Sequence, residues 1–147
     1  MRVLLDTNII LDFLLDREPF FSDADTVLQT IRSGQVEGFI TATTLTNIFY
    51  IARKIKKTVI AKQYVSIILA TLEVIPVDRP ILEAALASNL SDFEDAVQEA
   101  CAMRENLDAI VTRVRAACRR HIAQTSQALQ YQFSQPGSYC KTFLNKI

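Results

Sequence analysis

Leu4-Leu5-Asp6-Thr7-Asn8, close to the start of the chain, is the stretch from which the architecture can first be inferred. A short apolar run ends on a carboxylate, and a polar pair then opens a second apolar stretch, which predicts a buried strand followed by a helix. The carboxyl ends of parallel strands line the ligand crevice of open α/β sheets. Asp6 is therefore either a ligand or catalyst at that edge, or the N-terminal cap of the helix, a position that Asp also favours.

Three more strand patterns follow along the chain, and helical patterns separate them. These strands are predicted at residues 38–40, 73–77 and 108–112. Polar residues indicate where the intervening helices begin, namely Ser22, Thr43 or Thr44, Asp78 with Pro80, and Ser91. Alternating strands and helices imply right-handed crossovers and a parallel sheet that is covered by helices on both faces.

Length and composition limit the class of protein. With 147 residues, half of them hydrophobic and only three of them Gly, the chain can form one domain over residues 1–147 with a substantial core. Its apolar runs stay shorter than the roughly 18 residues of a membrane span. The N-terminus carries no pattern of a secretory signal. We therefore expect a cytoplasmic protein.

The charges are unevenly distributed although the formal net charge is zero. All sixteen acidic residues precede residue 113, whereas six of the sixteen basic residues lie after residue 112. We therefore treat residues 114–147 as a divergent basic C-terminal segment. Its basic run could contact phosphate groups, whose neutralisation releases counterions, or could form a solvated helix face. That run contains Arg113, Arg115, Arg119, Arg120 and His121.

Cysteine and histidine leave little room for a zinc, redox or triad site. Cys101, Cys118 and Cys140 are far apart and form no C-x-x-C pair, so they are predicted to be structural thiols. The single histidine, His121, excludes a His-rich zinc site. Any metal ion would have to be held by oxygen atoms.

A small set of polar residues falls where strand ends and helix starts should converge. It comprises Asp6, Thr7, Asn8, Asn47, the run from Ser91 to Asp95, and Thr112. Carboxylates that converge repel each other, by about 4 kcal/mol per pair at ~4 Å and an effective dielectric constant near 20. Mg²⁺ or Mn²⁺ would relieve this repulsion, since both accept carboxylates and keep several waters. Such an ion can acidify a water and stabilise charge on a phosphoryl group.

The acidic run from 91 to 95 combines helix capping with a candidate site. Ser91 and Glu94 match a capping box, so Glu94 is predicted to cap the helix. Asp92 and Asp95 are three residues apart and share one helix face, so at least one of them can point into the crevice. We expect Asp95 to be the first candidate and Asp92 the second.

Four blocks of the sequence resemble, in order, those of PIN-domain nucleases, many of which are toxins of bacterial toxin-antitoxin pairs. The resemblance spans residues 1–113. The blocks are Val3-Leu4-Leu5-Asp6-Thr7-Asn8-Ile9-Ile10, residues 40–50 with the text ITATTLTNIFY, the Asp92-x-x-Asp95 turn, and Ala109-Ile110-Val111-Thr112-Arg113.

The resemblance implies a Rossmann-like, three-layer α/β/α fold with a central, mostly parallel sheet of four or five strands. It also implies a Mg²⁺- or Mn²⁺-dependent endoribonuclease that cuts single-stranded or structured RNA. In that pattern Asp6, Asp95 and Asp92 hold the metal, and Asn8 and Thr112 orient groups around it. Two positions depart from the pattern, because Asn47 stands where the family usually has Glu and Val114 where it usually has Asp or Asn.

These departures leave two functions open. The first is an active metal-dependent ribonuclease of the toxin type, with Asp6, Asp92, Asp95, Asn8, Asn47 and Thr112 in its site. The second is a catalytically degenerate PIN-like module that binds RNA or a protein partner. A nucleotide-binding, flavodoxin-like domain is disfavoured, because no glycine-rich phosphate loop follows any strand.

The region from about residue 43 to 72 carries several large apolar residues, and packing in the core is the first explanation for them. If they are exposed, a second copy of the chain or an antitoxin protein would cover them. They include Phe49, Tyr50, Ile55, Tyr64 and Ile67.

Overall fold

The computed structural model describes residues 1–113 and 140–143, and within them the chain forms five strands and six helices. Val114 and the remaining members of the basic run, Arg115, Arg119, Arg120 and His121, lie outside the described part. None of the described helices is both long and apolar enough to cross a membrane. The elements in chain order are β1 (Arg2–Leu5), α1 (Thr7–Leu14), α2 (Phe21–Arg32), β2 (Glu37–Thr41), α3 (Ala42–Ile55), α4 (Thr58–Thr71), β3 (Glu73–Ile75), α5 (Arg79–Ala87), α6 (Phe93–Arg104), β4 (Ala109–Thr112) and β5 (Cys140–Phe143).

The strands form one sheet in the order β3-β2-β1-β4-β5. Strands β1 to β4 are parallel, and β5 pairs with β4 in the antiparallel direction at the edge. The chain builds the sheet outward from β1 through β2 to β3, and then returns to place β4 on the other side of β1. The order therefore reverses between β1 and β4, and the carboxyl ends of these two strands border the crevice where open α/β sheets bind ligands.

The alternation of side chains along β1 explains why both faces of the sheet are covered. Val3 and Leu5 point to one face and pack with residues of α1 to α4, whereas Leu4 points to the other face and packs with α5 and α6. All three are almost completely buried, and burying one such side chain contributes about 1.5–3 kcal/mol. The expected three-layer α/β/α fold with a mostly parallel sheet is thus confirmed.

Most element boundaries agree with the sequence patterns, and the exceptions have local causes. Asp78 caps α5 as predicted, since its side chain accepts a hydrogen bond from the Ile81 amide at 3.2 Å. Helix α3 begins earlier than predicted, because β2 runs directly into it and the last strand residue, Thr41, is the cap. Strand β3 ends at Ile75, since Pro76 has no amide hydrogen for the ladder.

Candidate active site

Asp6 lies at the point where β1 ends and α1 begins. Its backbone amide donates to the Val111 carbonyl at 3.0 Å, so β1 and β4 stay connected up to this residue. Asp6 is the N-cap residue of α1 by position, yet its side chain makes no capping hydrogen bond. The carboxylate is 6% exposed and points instead into the crevice between the two strands. The Asp6 side chain therefore does not cap the helix, which was one of the two interpretations of this residue.

Three neutral side chains donate hydrogen bonds to the Asp6 carboxylate. Thr112 Oγ1 and Asn8 Nδ2 donate to Oδ2 at 2.8 and 3.3 Å, and Gln98 Nε2 donates to Oδ1 at 3.1 Å. Within residues 1–113, no basic side chain forms an ion pair with Asp6. The carboxylate is thus fixed in place while its negative charge stays without a cationic partner in this part of the chain.

The sequence analysis did not identify Gln98, although it contacts Asp6 directly. It lies on α6, three residues after Asp95 and four after Glu94, and therefore on the same helix face. Gln98 is buried. The spacing from the acidic run was the available signal, but a glutamine in a helix usually faces solvent, and the contact spans 92 residues of sequence.

The N-terminus of α6 is capped by Asp92 and not by the predicted pair Ser91 and Glu94. Asp92 Oδ1 accepts hydrogen bonds from the backbone amides of Glu94 and Asp95, at 2.9 and 3.2 Å. The predicted capping box is therefore wrong. Asp caps a helix as well as Ser does, and with Asp92 in that place Glu94 becomes the second helical residue, from which its side chain is free to turn elsewhere.

Glu94 points towards the first residue of α1 and towards a residue within α3. Its Oε1 accepts hydrogen bonds from Thr7 Oγ1 at 2.9 Å and from Asn47 Nδ2 at 3.2 Å. Thr7 opens α1 and Asn47 lies in α3. Asn47 therefore lies beside the crevice as expected, but the group it contacts there is Glu94.

Asp95 is exposed on one side, and the charges of the other acids of the site affect its pKa. Its pKa is raised, first by partial burial and then by the negative charges of Asp92, Asp6 and Glu94. Unlike Asp6, its carboxylate accepts no hydrogen bond from the described residues. The Asp95 carboxylate is thus close enough to Asp6, 89 residues earlier in the chain, to interact with its charge.

The donor set around Asp6 and Asp95 consists of oxygen atoms. Hard divalent cations prefer oxygen ligands of this kind. In residues 1–113, no three acidic, histidine or cysteine side chains already converge on a common point as ligands. The described residues thus offer oxygen donors to a hard divalent cation but no set of three ligands that is already assembled.

Arg113, which follows Thr112, is directed away from this set of acids. Its Nη1 lies 3.3 Å from both carboxylate oxygens of Asp12, and its guanidinium stacks over the Phe20 ring at 4.4 Å. Arg113 is the one member of the predicted basic run that the structure describes. Its side chain is 30% exposed, and the buried Asp12 carboxylate binds it.

Comparisons with known proteins agree with this fold. A family model described as PIN domain matches residues 2–116. No curated protein sequence matches the chain.

Three solved structures are similar to this chain at identities that establish the fold alone. VapBC2 from Rickettsia felis, bound to a DNA fragment from its promoter, is 18% identical with a TM-score of 0.57, over 82% of this chain and 92% of that one. A toxin-antitoxin complex from Klebsiella pneumoniae is 24% identical with a TM-score of 0.58, over 77% and 87% of the two chains. VapC20 from Mycobacterium tuberculosis, a toxin that cleaves the sarcin-ricin loop, is 13% identical with a TM-score of 0.61, over 74% and 86%.

Proposed function

The chain belongs to the PIN-domain nuclease family, and from this premise we propose that it is a Mg²⁺- or Mn²⁺-dependent endoribonuclease of the toxin type. The observation that carries the proposal is the Asp6 carboxylate, which is buried where β1 and β4 end and is held by three neutral donors. Burying a charge without a cationic partner costs free energy, so a site of this kind is suited to bind a cation.

We assign two kinds of role to the side chains of the site: the acids supply negative charge to the metal ion, and the neutral residues orient the acids. Asp6 and Asp95 are the proposed metal ligands, and Asp92 adds negative charge while it caps α6. Thr112 and Asn8 keep the Asp6 carboxylate in one orientation. The bound ion would supply a water of lowered pKa and would neutralise charge on the phosphate that is cut.

Replacing Asp6 with Asn tests this proposal. The amide keeps the size of the side chain and can still bond Thr112 and a reoriented Gln98, so we expect a folded protein that no longer cleaves RNA. Cleavage of 5′-labelled RNA is measured with Mn²⁺ and with EDTA, and the fold is checked by circular dichroism. The matched control is Asp16→Asn, because Asp16 is exposed and has a φ of 49°, which Asn also tolerates. Undiminished cleavage by Asp6→Asn would rule out the assignment.

The catalytically degenerate module is the second candidate, and one observation favours it. No three potential ligands converge within residues 1–113, and Asn47 supplies no charge. Titration calorimetry with Mn²⁺ separates the two candidates, because a degenerate site would show no binding that depends on Asp6 and Asp95.

We also propose that this ribonuclease acts in the cytoplasm and that a protein covers part of its surface. Several large apolar side chains of α3 and α4 are exposed, whereas Phe49 and Tyr64 are partly buried. Two of the similar structures are complexes of a toxin with its antitoxin. A homodimer or an antitoxin would cover the apolar side chains, and a clean monomer in light scattering would exclude the dimer. The exposed residues are Tyr50, Ile55, Val59, Ile67 and Leu69.

A further inference from the structure

We propose that Glu94 is a third carboxylate of the active site, where it faces the metal ion or its waters, and that Asn47 and Thr7 hold it in position. This inference rests on the proposed metal-dependent nuclease. It assigns to Glu94 the acidic role on this side of the crevice, which Asn47 cannot fill because its amide carries no charge.

Two hydrogen bonds bring the side chains of Glu94 and Asp6 to the same region of the crevice. Thr7 donates to Glu94 at 2.9 Å and is the next residue after Asp6 in the chain. Gln98 lies one helical turn after Glu94 and donates to Asp6 at 3.1 Å. The first contact connects Glu94 to the start of α1, beside Asp6. The second connects Asp6 to the face of α6 that also carries Glu94.

The hydrogen bonds of Glu94 hold one of its oxygens and leave the other available. Oε1 receives both neutral donors, Thr7 Oγ1 and Asn47 Nδ2. Oε2 accepts no hydrogen bond from any residue in the described part of the chain. Glu94 is also only partly buried, so solvent or an ion can reach it. A carboxylate that is fixed on one side and open on the other is suited to bind a hydrated cation.

The neutral amide of Asn47 fits this arrangement. Its Nδ2 lies 3.2 Å from Glu94 Oε1, where a second carboxylate would repel Glu94 instead of donating to it. Asn47 is therefore a positioning residue in this proposal. Glu94 is the group that faces the ion or its waters.

Glu94→Gln is the decisive variant, because it separates a structural tie from a working carboxylate. The Gln Oε1 atom can accept the same two hydrogen bonds, so the ties to α1 and α3 remain and only the charge is lost. We expect the affinity for Mn²⁺, measured by titration calorimetry on the full chain, to fall at least fivefold. A smaller change would overturn the inference.

Two further variants make the result interpretable. Glu99→Gln removes the same charge from the same helix, at a residue that forms no hydrogen bond or ion pair in the described structure, and should leave the affinity unchanged. Asp6→Asn tests the proposed function itself. Weaker binding in Asp6→Asn with normal binding in Glu94→Gln would contradict the role of Glu94 alone. Normal binding in Asp6→Asn would contradict the proposed function and this inference with it.

Should Glu94→Gln fail to fold in thermal unfolding, the wild-type protein still provides the test. Crystals soaked in Mn²⁺ would show the ion by its anomalous signal. A peak within about 5 Å of Glu94 Oε2, a distance that includes one bridging water, supports the inference. A peak on Asp6 and Asp95 that is farther from Glu94 overturns it.

Discussion

Two buried carboxylates at opposite ends of α1 have different kinds of partner. Asp12, in the last turn, is fully buried and forms ion pairs with Arg17 at 3.7 Å and Arg113 at 3.3 Å. Asp6, before the first turn, is 6% exposed and accepts hydrogen bonds from Asn8, Gln98 and Thr112. The first carboxylate has cationic partners within the fold, and the second has none among residues 1–113.

This difference separates an acid that stabilises the fold from the acid that we propose to bind the metal ion. Burying a charge costs several kcal/mol, which a guanidinium partner can offset and neutral donors offset only in part. The helix dipole adds to the contrast, since a negative charge is favoured before the N-terminus of α1 and disfavoured near its C-terminus. Asp12 therefore needs its arginines for stability, whereas the remaining charge of Asp6 is available for an ion.

The strongest test of this contrast is the stability of Asp12→Ala. The variant leaves two guanidinium groups without their buried partner, and we expect the free energy of unfolding to fall by about 3 kcal/mol. Asp6→Asn should change it by about 1 kcal/mol or less, because an amide can keep the hydrogen bonds. Urea unfolding followed by circular dichroism measures both values. Equal losses in the two variants would remove the distinction.

Arg113→Met tests the cationic side of the contrast. It removes the ion pair with Asp12 and the stacking on Phe20, and we expect a loss of about 2 kcal/mol in the same measurement. The control is Arg79→Met, since Arg79 forms an exposed ion pair with Glu83 that contributes about 0.5 kcal/mol or less. If the two arginine variants lose the same stability, the ion pair with the buried Asp12 contributes no more than an exposed one.

Gln98→Leu tests the neutral donors on the other side. Asp6 would lose one of its three hydrogen bonds, so we expect a stability loss of about 1 kcal/mol and an affinity for Mn²⁺ about tenfold lower. Gln29→Leu is the control, because Gln29 is exposed on α2 and bonds Asp25. Unchanged Mn²⁺ binding in Gln98→Leu would show that Asp6 does not depend on this donor.

Cys101 gives a third and milder case, that of a buried ionisable group which stays neutral. Burial raises the pKa of its thiol from 9.0 to about 11. At pH 8 the native protein should therefore contain about a hundredfold less Cys101 thiolate than the unfolded chain, and alkylation by iodoacetamide should be slower by at least that factor, because burial also shields the thiol from the reagent. Peptide mass spectrometry identifies the Cys101 product among those of the three cysteines. Equal rates in both states would contradict the raised pKa.

The same shift gives a sign for the dependence of stability on pH. Between pH 9 and 11 the folded protein keeps the Cys101 proton and the unfolded chain loses it. Because the folded state then binds more protons, its stability falls as the pH rises through this interval. Cys101→Ala should reduce that fall, which urea unfolding at pH 8 and pH 10.5 would show.

The sequence by itself determined the architecture and the position of Asp6. Alternation along Val3-Leu4-Leu5 and helical spacing after it are local patterns, and they were enough to predict a parallel sheet with helices on both faces. They also placed Asp6, Asn8 and Thr112 at strand ends, where parallel strands bring them to one edge.

Only the tertiary structure decided which acids have partners and of what kind. Glu94 was predicted to be a cap and Asp92 a candidate ligand, and the structure exchanges their contacts, because the start of α6 shifts by one residue. Gln98 reaches Asp6 across 92 residues of sequence, and Arg113 reaches Asp12 across 101. Local periodicity fixes which face a side chain occupies, but the partner it meets there depends on how distant elements pack.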